Sequence, residues 1–177
     1  GVARAASRPN VLLMLIDTLR ADRLGCYGNP RRLTPNIDRL ARSGTLFLQT
    51  VSQAPWTTPS HASLFTGLYP TETGCAHAST KGNRLEEGYL TWAEILQWEG
   101  YATAAFTSGI QVRGELGFNQ GFDVYQDVDY DKSYSFESIF QRASRWLDEH
   151  EGEPWFLFLH TYAPHFPYKH RQYLGYR

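Results

Sequence analysis

Six apolar residues in a row, Val11 to Ile16, break off at Asp17. A run of that length between polar neighbours predicts a buried strand. The spacing then changes: Ile37, Leu40 and Ala41 share one helical face, with Thr34 as a cap and Pro35 at the first helical position. Gly44 closes that helix, and Thr45 to Thr50 predicts a second strand. Trp92, Ile95 and Leu96 mark another helix, stopped by Gly100, and Tyr101 to Phe106 predicts a short strand. Phe136, Ile139, Phe140, Ala143 and Leu147 repeat at helical spacing until Gly152 and Pro154. Trp155 to His160 predicts the last buried strand.

Strand and helix alternate, so the pattern predicts an α/β fold: a mostly parallel (mixed) sheet of at least four strands, with helices on both faces. No internal repeat, low-complexity tract or linker divides the chain. In such folds ligands gather beyond the carboxyl ends of the strands. That rule directs attention to Asp17, to the region around Thr57 and to the loop after His160.

Composition narrows the class. With 177 residues, 42% of them hydrophobic and 15% aromatic, the chain can bury a core. Its formal net charge of -1 leaves no electrostatic footprint for nucleic acid or an anionic membrane surface. Val11 to Ile16 is far too short to span a bilayer. Cys26 and Cys75 show neither metal-type nor redox-type spacing, and the sequence leaves open whether they pair. The "ARAA" near the start has the small residues of a cleavage site, which leaves the compartment open.

The stretch "PWTTPSHASLFTG", Pro55 to Gly67, holds the chemistry. Pro59 suits a first helical position with Thr58 as its cap, which would place Thr57 just before a helix N-terminus. Backbone N–H groups and the helix dipole favour an anion there, with the Thr57 hydroxyl facing its central atom. The same residues also read as ordinary capping chemistry. His61, four residues on, would face the same anion. Asp17, at the end of a buried strand, reads either as a ligand of a hard divalent cation or as a loop cap. His165 lies in the proline-framed loop "APHFPY", where a restricted backbone would aim its imidazole. Asp22, Arg20 and Arg23 read as a solvated face, and "DEH" (Asp148 to His150) as a helix end rather than a metal triplet.

Taken together, "RPNVLLMLIDTLRADRLGCYG", "TPNIDRLARSGTLF", "PWTTPSHASLFTGLYPTETG", "LTWAEILQWEGYATAAF", "GFNQGFDVY" and "WFLFLHTYAPHFPY" resemble, in order, the N-terminal part of the sulfatase family of the alkaline phosphatase superfamily. The resemblance implies that residues 1–177 are the N-terminal part of one catalytic domain, an alkaline-phosphatase-like fold cut after Arg177. It implies that Asp17 ligates a divalent cation (Ca, Mn or Zn), that Thr57 stands at the nucleophile and metal position, and that His165 contacts the substrate anion. The substrate class would be a small-molecule or glycan anionic ester. The remaining metal ligands would come from a later segment, so the chain alone should be weakly active.

Three departures matter. The family nucleophile is a formylglycine made from Cys or Ser in a Cys/Ser-x-Pro-x-Arg pattern, whereas here the residues are Thr57-Thr58-Pro59-Ser60-His61. The usual paired aspartates become Asp17-Thr18, and the usual lysine and histidine block becomes "TSGIQVR" (Thr107 to Arg113). Formylglycine hydrate expels sulfate with its second hydroxyl, which threonine lacks. A phosphorylated threonine can instead be hydrolysed by in-line attack of activated water. Related superfamily members use threonine for phosphodiester cleavage and phosphotransfer. The expected function is therefore hydrolysis of phosphate-type or phosphonate esters, with a sulfuric ester hydrolase or a non-catalytic interaction domain as the alternatives.

Overall fold

Every strand carries side chains on two faces, and both faces need cover, which is why the apolar runs pair in parallel under helices. The computed structural model describes residues 8–76, 83–127 and 136–166. Four strands form one parallel sheet: β1 (Val11–Ile16), β2 (Ala102–Thr107), β3 (Val124–Asp127) and β4 (Trp155–Thr161), in the order β1-β4-β2-β3. The register sets Val11 beside Phe156 and Ile16 beside Thr161, and on the other side of β4 it sets Phe106 beside Leu159.

Alternation along β4 divides the core. Phe156 and Phe158 point to the face covered by α2 (Thr57–Thr66) and α4 (Trp92–Trp98), where they meet Ala62, Phe65, Ala93 and Phe118. Leu157 and Leu159 point to the other face, against Ile139, Ala143 and Trp146 of α5 (Phe136–Glu149). Each of those buried phenylalanines is worth about 2–3 kcal/mol of apolar transfer. Helices therefore cover both faces, as the alternation of elements predicts. Leu12 and Met14 of the edge strand β1 stay exposed on the α5 face, because α5 lies over β2 and β4. Among the described residues no helix is long and apolar enough to cross a membrane.

Two expectations change. Thr45 to Thr50 makes no ladder: its apolar residues Phe47 and Leu48 are exposed, and the fourth strand is β3. β3 escapes the apolar-run criterion because its residues, Val124 to Asp127, become polar towards the edge. In α5, Ile139, Ala143 and Leu147 face the sheet as their spacing predicts, but Phe140 turns outward. The helix α1 (Pro35–Ser43) and the short α3 (Pro70–Thr73) complete the described α-helices, and short 3-10 turns lie between the elements.

The motif residues around α1 have a structural purpose. Asp38 Oδ1 accepts hydrogen bonds from the Cys26 amide at 2.8 Å and the Thr34 hydroxyl at 3.0 Å, while Thr34 Oγ1 accepts from the Gly25 amide. A Cβ on Gly25 would collide with the Asp38 carboxylate, so glycine is required there. Cys26 and Cys75 are both free thiols.

Asp123 ties β3 to β2. Its Oδ2 accepts from the Thr103 amide and hydroxyl, both at 2.9 Å, and its Oδ1 accepts from Gln97 Nε2 at 2.6 Å. Partial burial raises this carboxyl, but the hydrogen bonds from Thr103 and Gln97 outweigh it and the net shift is downward. A folded pKa below the unfolded one stabilises the fold above the ordinary carboxylate range, and that stability is lost as pH falls through the lower folded value. Asp123→Asn should cost about 1–2 kcal/mol at pH 7, a modest figure because the group is exposed. Urea unfolding of both proteins should show that difference shrinking below about pH 4. A constant difference from pH 7 to pH 3 would refute the assignment.

Candidate active site

The carboxyl ends of β1 and β4 meet the start of α2. Asp17 follows β1 directly, and its amide donates to Thr161 O at 3.0 Å, extending the parallel ladder by one residue. The α2 helix begins at Thr57 with Trp56 as its N-cap, whose carbonyl accepts the first helical bond from Ser60 at 3.1 Å. The expected start at Pro59 is therefore two residues late. Thr58 is not the cap: it lies inside the helix, buried, with its hydroxyl donating to Gln111 O at 3.0 Å. Pro59 remains within the first turn, where a missing N–H costs nothing.

This start brings two predicted residues together. Thr57 Oγ1 donates to Asp17 Oδ2 at 3.1 Å, across forty positions of sequence. Burial pushes the Asp17 carboxyl up, but His160 and the Thr57 hydroxyl outweigh it and hold it below its ordinary range. Thr58 and Pro59 leave Thr57 half-buried at the mouth, with the free N–H groups of the first turn beside it.

The two histidines separate. His61, expected to face the anion, turns inward: it is 2% exposed and packs edge-on against Phe118, Phe158 and His160. Its Nδ1 lies 2.7 Å from Thr57 O, and since a carbonyl only accepts, that nitrogen carries the hydrogen. Burial, with the His160 ring second, pushes its pKa down to about 4. A neutral ring bonded to the first-turn carbonyl braces α2 from below. His165 is exposed after β4, with its Nδ1 2.6 Å from Phe166 O and its ring edge-on to Tyr162 at 5.4 Å.

Sequence reading passed over His160 and Tyr162. His160 shares the face of Phe156 and Phe158, so the signal was a polar residue at an apolar position of a period-2 run. His160 Nε2 lies 3.6 Å from Asp17 Oδ2, and its ring centroid is 4.6 Å from that of Tyr162. Burial first, and the Asp17 charge second, push the Tyr162 phenol well above its ordinary range, so it stays protonated.

Strain gathers at the same end of the sheet. Thr18 (φ 57) and Ile110 (φ 56) are β-branched residues held in the left-handed region, next to Asp17 and to the Gln111 carbonyl that anchors Thr58. Such backbone costs about 1–3 kcal/mol and concentrates at functional sites. Arg20 and Asp22 form an exposed ion pair, and His150 stacks on Trp146 at the end of α5. Both roles match the sequence reading.

The sequence and the fold both resemble those of known proteins. The steryl-sulfatase of Homo sapiens is 41% identical over 110 residues, which is 58% of this chain and 19% of that protein. The phosphonate monoester hydrolase of Agrobacterium radiobacter superposes with a TM-score of 0.72 at 22% identity, covering 89% of this chain and 41% of that one. A protein solved in complex with its substrate D-glucosamine-2-N,6-O-disulfate superposes with a TM-score of 0.76 at 24% identity, covering 90% and 35%. The chain spans about a fifth of the length of the curated relatives it matches. The family model described as Sulfatase matches residues 9–177, nearly the whole sequence, and the chain belongs to that family.

Proposed function

We propose that the protein carrying this chain is a cation-dependent ester hydrolase in which Thr57 is the nucleophile and phosphorus esters are the preferred substrates. The observation that carries the reading is the hydrogen bond from Thr57 to Asp17 at the carboxyl end of the sheet. The donors fit a hard divalent cation: a carboxylate and a hydroxyl oxygen, side by side at a helix start. Among the described residues no three His, Cys, Asp or Glu side chains cluster, so these two would be part of a larger shell. When bound, the cation would polarise the ester and acidify the threonine hydroxyl.

The chain's own groups divide the remaining work. Asp17 orients the Thr57 hydroxyl, which loses its proton to solvent as its oxygen forms a bond to phosphorus; the bond to the leaving alkoxide breaks, and solvent protonates it to the alcohol. The N–H groups of Thr57 and Thr58 meet the charge that develops on the non-bridging oxygens. His61 holds the Thr57 carbonyl and so the direction of the helix start. His165, at the exposed rim, would contact the anionic ester. Water then attacks phosphorus, the bond to the Thr57 oxygen breaks, and a diester substrate leaves as its phosphate monoester.

A second reading, sulfate ester hydrolysis, is favoured by the steryl-sulfatase match. One hydroxyl argues against it, because a sulfated threonine has no second hydroxyl to expel sulfate. The fold neighbours include both a phosphonate monoester hydrolase and a protein with a disulfated glucosamine substrate, so the scaffold accommodates either ester. Measuring kcat/KM for a matched phosphodiester and sulfate monoester should favour the phosphodiester by more than about 100-fold, or about 3 kcal/mol of transition-state stabilisation. Preference for the sulfate ester with Thr57 intact would make sulfate hydrolysis the function.

A further inference from the structure

We propose that His160 is a positioning residue for Asp17, its Nε2–H steadying the Oδ2 oxygen so that the carboxylate holds one orientation towards the cation. The inference rests on the reading of Asp17 as a cation ligand. His160 is 1% exposed, and neither of its ring nitrogens has a hydrogen-bond partner. Leaving such atoms unpaired in a core costs about 1–3 kcal/mol each. Packing alone does not account for the residue, since an aromatic hydrocarbon fills the equivalent position two residues earlier, at Phe158. The carboxylate oxygen that faces the ring is Asp17 Oδ2, 3.6 Å from Nε2.

The surroundings hold both partners. The Asp17 amide is bonded to Thr161 O, and Ser108 Oγ donates to His160 O at 3.4 Å. The imidazole is braced edge-on by His61 (5.1 Å between centroids) and by Tyr162 (4.6 Å). With both backbones tied and the ring braced, a small turn of the Asp17 carboxylate is the free motion that brings Nε2 and Oδ2 into hydrogen-bond range. Oδ2 would then accept from His160 and Thr57 together, which fixes the carboxylate plane. Thr18, which follows Asp17, brings no carboxylate and is exposed in strained backbone. A single carboxylate needs its orientation set by other groups, and outer partners of this kind are typically worth 10–100-fold in metal affinity.

The test is equilibrium binding of Mn²⁺ and of Zn²⁺ alone to the purified protein, by calorimetry, without substrate. His160→Phe should weaken binding about 10–100-fold, whereas His160→Gln, which keeps an N–H donor at that reach, should stay within about threefold of the parent. Imidazole ¹⁵N NMR of the Zn²⁺-loaded protein should show a hydrogen on His160 Nε2. Unchanged affinity in His160→Phe, with Asp17→Ala abolishing binding, would overturn the positioning role and leave the ligand reading standing. Equal loss in the Phe and Gln variants would reduce His160 to a packing residue. A metal-bound Nε2 would make it a ligand instead. Undiminished binding in Asp17→Ala would remove the reading on which the inference stands.

Discussion

Replacing Thr57 by alanine should lower kcat on a phosphodiester such as bis(p-nitrophenyl) phosphate by at least about 1,000-fold, while Thr57→Ser should stay within about tenfold of the parent. Loss of a nucleophile removes the covalent route entirely, and in enzymes with such routes the residual rate comes only from binding and oxyanion stabilisation. The side chain is half-buried and its hydroxyl is bonded to Asp17, so the alanine variant should lose no more than about 1 kcal/mol of stability. That separates a catalytic defect from an unfolded protein. Asp17→Ala should match the loss in rate, because the carboxylate both orients Thr57 and ligates the cation in the proposed site. Rates would be read in excess Mn²⁺, Zn²⁺ and Ca²⁺ in turn. Turnover in Thr57→Ala at the parental kcat, with any of the three, would remove threonine from the chemistry.

How much of this was visible beforehand depends on the kind of signal each element carries. β4 was legible because both faces are buried, so its apolar run is unbroken. β1 was legible from its apolar run alone, which Asp17 ends, although Leu12 and Met14 stay exposed at the sheet edge. β3 was not, because a four-residue edge strand with Gln126 and Asp127 exposed has no apolar run to display. Leu46, Phe47 and Leu48 show the opposite error: the composition of a strand, but no ladder partner to satisfy its backbone. At the candidate site, the positions of Asp17 and Thr57 were readable because each stands at an element boundary. The direction of His61 was not, since four residues past Thr57 on a helix returns to nearly the same face, and the inward tilt follows from where α2 begins. Starting at Thr57 instead of Pro59 moves every later residue of the helix relative to the mouth. His160 was hidden for a different reason: its significance comes from Asp17, more than a hundred residues away, through a pairing that only the β1–β4 register reveals.

Gly121→Ala should be among the most damaging single substitutions in the fold, costing more than about 3 kcal/mol, a large part of the stability of an ordinary domain. Two effects combine there. Gly121 has φ 79, where a side chain costs about 1–2 kcal/mol. Its missing Cβ also leaves room for the first turn of α4: an added carbon would strike the Glu94 amide nitrogen and lie 2.5 Å from the Ala93 carbonyl carbon. Those atoms cannot yield cheaply, because the Glu94 amide donates to Thr91 Oγ1 at 3.2 Å while Glu94 Oε2 accepts from the Thr91 amide at 2.8 Å. Thr91 in turn donates to Gln120 O at 3.3 Å, so the turn carrying Gly121 and the cap of α4 form one unit. Gly28→Ala is the control. Its φ is 97, yet nothing lies within 4 Å of the added carbon, so it should cost only the backbone strain. Urea unfolding of the purified protein and the two variants would separate the terms. Equal losses at both positions would mean that left-handed backbone alone explains Gly121, and that the close approach to α4 contributes nothing.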